Sequence, residues 1–171
     1  MKKMALFILI ATVLSASENP YEVAPMIGYT FPNGGQQIRD HTVFAAEVQF
    51  NDIDAFLKPE LSLMYGDVDR NDERPGDVDI FRSAVNGLYE FQKYYSQITP
   101  FVKAGVGYET MSDHVYDNQN GFFIDGGVGV KIAITQQIAF KLEAIEMQKY
   151  NHSDWDNNLV YMAGVAFAFG E

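Results

Sequence analysis

The sequence predicts an all-β protein, an eight-stranded antiparallel up-and-down transmembrane β-barrel. Three observations support this prediction. From Tyr21 onward, apolar and polar residues alternate with a period of two, which is typical of strands with unlike faces. The alternating segments are about ten residues long, the length that a tilted strand needs to cross a bilayer. Long polar connections alternate with shorter ones, as expected when odd and even connections lie at opposite ends of a barrel.

The N-terminus has the pattern of an export signal. Lys2 and Lys3 are followed by an apolar run over residues 4–14 and then by the small residues 15–17. A membrane helix needs about 20 apolar residues, so this run is too short to span a bilayer. A short basic start, a short apolar core and small residues are typical of a secretory signal peptide. We therefore expect residues 1–17 to be the signal peptide and residues 18–171 to be the barrel domain.

The first four predicted strands cover residues 21–31, 43–50, 56–65 and 80–91. Each has an apolar face and an opposite face that carries polar residues. Pro25 and Pro59 lack the N–H that a ladder needs, so we expect both near the turn end of their strands, outside the main ladder. The predicted apolar faces carry, strand by strand, Val23, Ile27, Tyr29 and Phe31; Phe44, Ala46, Val48 and Phe50; Leu57, Leu61, Leu63 and Tyr65; and Phe81, Val85, Tyr89 and Phe91.

The last four predicted strands cover residues 101–110, 121–134, 138–147 and 159–169. Their polar faces combine glycine and alanine with isolated charges. If the seventh strand is extended to Glu146, a charge falls on its apolar face. The predicted apolar faces carry Val102, Ala104, Val106 and Tyr108; Phe122, Ile124, Val128, Val130 and Ile132; Ile138, Phe140, Leu142 and Ala144; and Leu159, Tyr161, Ala163, Val165, Phe167 and Phe169.

The connections differ in predicted length and in charge. The long ones cover residues 32–42, 66–79, 111–120 and 148–158, and they are rich in Asp, Asn and Gly. The others cover residues 51–55, 92–100 and 135–137. Acidic residues outnumber basic ones in the long connections. The sequence therefore predicts long acidic loops at one end of the barrel and shorter turns at the other.

The distribution of aromatic and charged residues predicts which face points inward. Aromatic residues on the apolar faces fall near strand ends, as the interfacial girdles of a membrane barrel require. Charges on the polar faces nearly balance, and buried charges need such pairing whereas solvated ones do not. We therefore expect the apolar faces to meet lipid and the polar faces to fill the interior. The alternative is a soluble lipocalin-like barrel with the opposite orientation.

We expect the inward charges to form a salt-bridge network, with Arg82 as its best multidentate member because guanidinium offers several donors. An eight-stranded barrel is just wide enough for side chains to fill, so no open channel is expected. The predicted network consists of Glu47, Lys58, Glu60, Arg82, Glu90, Lys103, Asp125, Lys131, Lys141 and Glu143.

The last strand, residues 162–169, ends with a glycine followed by alternating aromatics: Gly164, Phe167 and Phe169. This pattern resembles the assembly signal of bacterial outer-membrane barrels, although two residues follow the last aromatic. Together with the signal peptide and the eight strands, the chain resembles the small OmpA-like outer-membrane β-barrel family, without that family's peptidoglycan-binding domain. The resemblance implies export to the outer membrane of a Gram-negative bacterium. It also implies a monomer that contacts outer-membrane lipids, lipopolysaccharide and, through the last strand, the barrel-assembly machinery.

Composition narrows the functions further. The net charge of −11 argues against nucleic acid as a partner, and the absence of cysteine excludes thiolate metal sites and cysteine nucleophiles. No catalytic residue, metal or cofactor is predicted. We expect a non-enzymatic role, either in envelope integrity or in surface interaction through the acidic loops. The alternatives are a lipid A-modifying enzyme, a deacylase or an acyltransferase, and a small pore.

Three weaker patterns point to other sites. His41, His114 and His152 all fall in predicted long loops, where solvated histidines are expected more often than a zinc site. Residues 67–79 are acidic but lack the mid-loop glycine and the final glutamate of a calcium loop. His152 and Ser153 resemble the pair of the lipid A deacylase family, but adjacent residues in a strand point to opposite faces, whereas that family spaces its pair two apart.

Overall fold

The computed structural model describes residues 21–33, 39–51, 56–69, 77–91, 97–113, 120–151 and 154–169. Each strand pairs antiparallel with the next, and β1 pairs with β8, so the sheet closes into a barrel. The predicted fold class is confirmed. Within the described part of the chain, no helix is long and apolar enough to cross a membrane. The strands are β1 (Tyr21–Asn33), β2 (His41–Phe50), β3 (Lys58–Asp69), β4 (Asp77–Glu90), β5 (Ile98–Asp113), β6 (Gly121–Ala133), β7 (Ile138–Asn151) and β8 (Asp154–Phe169).

The apolar faces point outward, as predicted. Val106 and Val128 are 61% and 59% exposed on the outer surface, whereas Lys103 and Glu60 inside are 4% and 0% exposed. A protein in water would bury the valines and expose the charges. The reverse arrangement fits a barrel surrounded by lipid, and it excludes the soluble lipocalin-like alternative.

The two ends of the barrel differ in the chain segments that meet there. One end of the barrel holds Tyr21, Phe169 and the β2–β3, β4–β5 and β6–β7 connections, and we call it the turn end. The opposite end, where β1–β2, β3–β4, β5–β6 and β7–β8 connect, is the loop end. Outer-membrane barrels place their turns in the periplasm and their loops outside the cell.

The strands reach further towards the loop end than predicted, and the expected contrast in connection length is wrong. β3 and β4 leave only residues 70–76 between them, and β7 and β8 leave only residues 152 and 153. The inner faces stay buried along these extensions, where Val68, Val78, Ile80 and Met111 pack together. Their outer faces become polar, and the sequence prediction ends each strand at that change.

Each proline is paired on one side only. Pro25 pairs with Ala46 of β2, but the β1–β8 ladder is interrupted between Val23 and Met26. Pro59 lies one residue beyond Glu60, the last residue of β3 in the β2–β3 ladder. Both positions therefore tolerate a residue without an N–H. Both lie towards the turn end, as expected, but Pro25 pairs with Ala46 and Pro59 with Gly87, so the expectation that they lie outside the ladders is wrong.

Candidate functional site: the barrel interior

The centre of the barrel holds two lysines and three glutamates. The Nζ of Lys103 lies 2.8 Å from Glu47, 3.0 Å from Glu60 and 3.0 Å from Glu143. The Nζ of Lys141 lies 2.5 Å from Glu47 and 2.7 Å from Glu60. All five side chains are at most 1% exposed. Each ammonium therefore contacts several carboxylates in a space from which water is excluded.

Four strands supply this central cluster. Glu47 comes from β2, Glu60 from β3, Lys103 from β5, and Lys141 and Glu143 from β7. Because side chains alternate across a strand, residues 141 and 143 share the inner face of β7. The ring of Phe101 covers one side, with its centroid 5.2 Å from the Nζ of Lys141. The cluster thus ties opposite walls of the barrel together through the lumen.

A second group of charges lies towards the turn end. The Nζ of Lys131 contacts Glu22 at 2.6 Å and Glu90 at 2.7 Å, and Lys58 contacts Glu90 at 2.5 Å. The side-chain oxygen of Gln49 accepts a further hydrogen bond from Lys131 at 2.8 Å. Lys58 and Glu90 are partly exposed, so water reaches this group from the periplasmic mouth.

A third group lies nearer the loop end, where the Glu109 carboxylate accepts hydrogen bonds from two basic side chains. The Nε of Arg82 lies 2.8 Å from one carboxylate oxygen, and the Nζ of Lys149 lies 2.7 Å from the other. All three side chains are at most 5% exposed. Arg82 is thus a member of this smaller group, and the described contacts give the role of multidentate hub to Lys103 and Lys141.

An apolar layer completes the filling of the interior. The methionines of the described strands are all buried, and their flexible side chains fill irregular space efficiently. Phe123 and Ile145 pack in one cluster with four of them, whereas Met111 packs with Val68, Val78 and Ile80. The buried methionines are Met26, Met64, Met111, Met147 and Met162.

Of the ten residues predicted for the interior network, only Asp125 lies outside the three charged groups described above. Asp125 is 8% exposed, and the amide nitrogen of Asn86, when turned towards it, donates a hydrogen bond at 2.9 Å. The sequence predicts Lys149 and Asp156 in a loop, but the structure places them on the inner faces of β7 and β8. Continuing the alternation from Lys141 through Glu143 would have placed Lys149 inside.

The histidine prediction is wrong for His41. It is the first residue of β2 and is buried, with its Nδ1 3.0 Å from the carbonyl oxygen of Arg39. Gly66 on β3 leaves the room that its ring needs, because a Cβ there would lie 2.8 Å from the His41 Cδ2. His114, His152 and Ser153 lie outside the described residues. Among the residues that are described, no group of three or more His, Asp and Glu side chains could hold a metal ion.

The predicted assembly residues lie at the seam where β8 meets β1. Gly164 is required there, because a Cβ would overlap the carbonyl oxygen of Pro25 and lie 2.6 Å from the Cγ of Met26. Phe169 stacks on Tyr21 with a centroid distance of 5.5 Å. Phe167 faces outward and is 38% exposed. These residues therefore support closure of the barrel in the folded state.

Aromatic residues on the outer surface form contacts at both ends. At the loop end, Tyr108 packs on Phe122 with a centroid distance of 5.0 Å. At the turn end, Phe56 stacks on Tyr89 at 4.7 Å. The apolar belt thus lies between two aromatic girdles, the arrangement that anchors a barrel at the two interfaces of a membrane.

Comparison with known proteins agrees with this architecture. The family model "Outer membrane protein beta-barrel domain" matches residues 4–169. The crystal structure of Neisserial surface protein A has a TM-score of 0.70 at 14% identity, over 87% of this chain and 97% of that one. The N-terminal β-barrel domain of Pseudomonas aeruginosa OprF has a TM-score of 0.58 at 18% identity, over 89% and 98%. No curated protein sequence matches the chain.

An enzyme shares the same architecture. The outer membrane enzyme PagL has a TM-score of 0.56 at 18% identity, over 85% of this chain and 98% of that one. At these identities the similarities show the fold alone.

Proposed function

We propose a structural and surface-interaction role, without catalysis or an open channel, for this chain, which belongs to the outer membrane protein β-barrel domain family. It resides in the outer membrane of a Gram-negative bacterium, like the small OmpA-like barrels that share its fold. The observation that carries the proposal is the filled interior. The central cluster and the buried methionines fill the lumen together, with Met162 as the register partner of Glu143.

The energetics of the interior favour a closed barrel over a pore. A continuous water path would have to pass Lys103 and Lys141, each of which contacts several carboxylates. Separating these contacts in a space of low dielectric leaves a buried charge without its partner, which costs about 3–5 kcal/mol. The buried methionines would also have to leave their apolar cluster. Both requirements oppose the small-pore alternative.

The polar extensions at the loop end support a surface-interaction role. Asp67 and Asp79 face each other across β3 and β4, on the outer surface beyond the apolar belt. Tyr65 donates a hydrogen bond from its hydroxyl to Asp79. An acidic rim presented above the outer leaflet is suited to binding cations. Divalent cations bound there would bridge the rim to anionic lipopolysaccharide.

Conductance measurements test the closed-barrel part of the proposal. The refolded mature chain is added to planar lipid bilayers, and we expect no discrete conductance steps. Lys141→Ala combined with Glu47→Ala removes both ends of one central contact and provides a matched variant with a weakened filling. Discrete steps in the wild type would overturn the proposal in favour of a small pore.

Lipid A mass profiles test the absence of catalysis. We compare bacteria that express the folded protein with bacteria that carry the empty vector, and we expect identical profiles. Loss or gain of an acyl chain would support the deacylase or acyltransferase alternative and overturn the non-enzymatic role. For an envelope role, deletion should raise sensitivity to detergents, and re-expression of the wild type should restore resistance.

A further inference from the structure

Glu143 is the carboxylate of the central cluster that receives the fewest hydrogen bonds. Lys103 donates to one oxygen each of Glu47, Glu60 and Glu143, at 2.8, 3.0 and 3.2 Å. Lys141 donates to the other oxygens of Glu47 and Glu60. Five hydrogen bonds therefore serve three carboxylates, and the Oε2 of Glu143 accepts none.

Neither ammonium has a donor to spare for this oxygen. The three hydrogens of Lys103 are already used, although its Nζ lies 3.0 Å from Glu143 Oε2. The Nζ of Lys141 lies 3.8 Å away, beyond hydrogen-bond distance. The side chain of Glu143 is completely buried. Burying an ionised oxygen without a partner is costly, and a carboxylate in such a place is neutralised by a proton instead.

The charges around Glu143 lead to the same conclusion. Within the central cluster three carboxylates oppose two ammoniums, so one negative charge is in excess. Asp125 of β6 adds to this excess, because its hydrogen bond comes from the neutral amide of Asn86 on β4. The register partners of Glu143, Gly129 on β6 and Met162 on β8, bring no charge. The bases of the other two groups contact carboxylates of their own.

A metal ion does not fit this position. It would need the same oxygens that the two ammoniums already contact, so it would have to displace a lysine. In the part of the chain that the structure describes, no group of three or more His, Asp and Glu side chains could hold a metal ion. A proton on Glu143 Oε2 needs no such space and leaves the five hydrogen bonds in place.

We propose that the folded barrel binds a proton at Glu143 Oε2 at neutral pH, so that Glu143 is a neutral carboxylic acid inside the central cluster. Two ammoniums then face two carboxylates, and the charges of the cluster balance. In the unfolded chain Glu143 is a solvated glutamate, which is ionised above about pH 4.3. Closure of the barrel therefore takes up a proton from the surrounding water. This uptake links assembly of the barrel to pH, beyond the role proposed above.

The sign of this link follows from the proton count. Above about pH 5 the folded barrel holds one proton more at this site than the unfolded chain, so unfolding releases a proton. Stability therefore falls as the pH rises, and one proton corresponds to about a tenfold rise in the unfolding equilibrium constant per pH unit. Glu143→Gln keeps the shape of the neutral acid and has no proton to release, so the variant should lack this contribution.

Unfolding of the full mature barrel in detergent tests the link. Tryptophan fluorescence follows unfolding between about pH 6 and 8, above the ordinary range of glutamate. Per pH unit, the equilibrium constant of the wild type should rise about tenfold more than that of Glu143→Gln. Glu109→Gln is the matched control, because both oxygens of Glu109 accept hydrogen bonds from basic side chains. Its pH dependence should equal that of the wild type. Each variant is first shown to be folded by its boiling-dependent gel mobility.

Infrared spectroscopy of the folded barrel observes the proton directly. A protonated carboxyl has a carbonyl stretching band that is separate from the bands of carboxylates. We expect this band in the wild type and in Glu109→Gln at neutral pH, and its loss in Glu143→Gln. A wild type without the band, a band that Glu143→Gln leaves undiminished, or equal pH dependence of these two proteins would overturn the proposal. Stabilisation of a bandless wild type by sodium, but not by choline, would assign the oxygen to a metal cation and would also overturn it.

Discussion

Replacing Lys141 by methionine should destabilise the barrel strongly. The substitution keeps the length of the side chain but removes the ammonium that lies 2.5 Å from Glu47 and 2.7 Å from Glu60. Both carboxylates are almost completely buried, so water cannot replace the lost partner. Removing one partner from a buried ion pair costs about 3–5 kcal/mol. Because Lys103 still contacts both glutamates, we expect about 3 kcal/mol, the lower end of that range.

Denaturant unfolding in detergent measures this loss. Trp155 is the only tryptophan of the chain and reports on unfolding by its fluorescence. The unfolding midpoint should fall while the slope with denaturant stays constant, since the surface exposed on unfolding is unchanged. Refolding from the unfolded side must give the same curve for a free energy to be defined.

Lys149→Met is the matched control. It makes the same change on the same strand, but Glu109 keeps Arg82 at 2.8 Å. We expect a loss of about 1.5–3 kcal/mol from its charged hydrogen bond to Glu109. If Lys141→Met changes the unfolding free energy by less than about 0.5 kcal/mol, as an ordinary surface substitution does, the central cluster does not stabilise the barrel and the reasoning is refuted.

Three further predictions concern other parts of the molecule. The unboiled mature chain, refolded from urea into detergent, should migrate differently from the boiled chain on a gel, and identical mobility would argue against a detergent-stable barrel. Gly164→Val should abolish this shift or slow its appearance, because a Cβ there overlaps the Pro25 carbonyl at the β1–β8 seam; normal folding kinetics would contradict that role. Asp67→Asn should raise the unfolding free energy by about 0.2–1 kcal/mol, since Asp67 and Asp79 are like charges directly across a strand pair. A lower unfolding free energy would mean that a bound cation already offsets their repulsion.

The sequence predicts the membrane-spanning part of this fold well because two signals coincide there. Alternation gives the strand, and the contrast between apolar and polar faces gives its orientation. Val106, which faces lipid, and Lys103, which faces the lumen, both lie where they were expected. The chemistry of lipid on one side and of a narrow lumen on the other leaves few alternatives.

Beyond the membrane, the contrast between an apolar outer face and a polar inner face disappears from the sequence. Residues such as Asp67 and Gln148 face water or headgroups, so the outer face no longer contrasts with a polar interior. The inner face still alternates, with Val68, Val78 and Met147 buried. The strand ends and the position of Lys149 were missed for this reason. His41 was missed because its burial depends on Gly66 of the neighbouring strand, a contact that one sequence does not reveal.

The partners within the interior were also beyond prediction, since alternation places a charge inside without assigning its height or its neighbour. Lys131 and Lys141 illustrate the difficulty, because they are register partners on β6 and β7 and like charges at such positions repel. The structure separates them: Lys131 contacts Glu22 and Glu90, whereas Lys141 contacts Glu47 and Glu60.

This separation gives the interior a role that the outer surface cannot perform. Sliding one strand by two residues keeps its apolar side chains on the outer face, so the apolar belt discriminates weakly between the two registers. The same slide moves an ammonium by roughly 6.6 Å along the strand, which breaks ion pairs of less than 3 Å. The buried carboxylates would then lose their partners in a medium without water. The interior charges, rather than the more numerous outer contacts, therefore specify the register in which β7 closes against its neighbours.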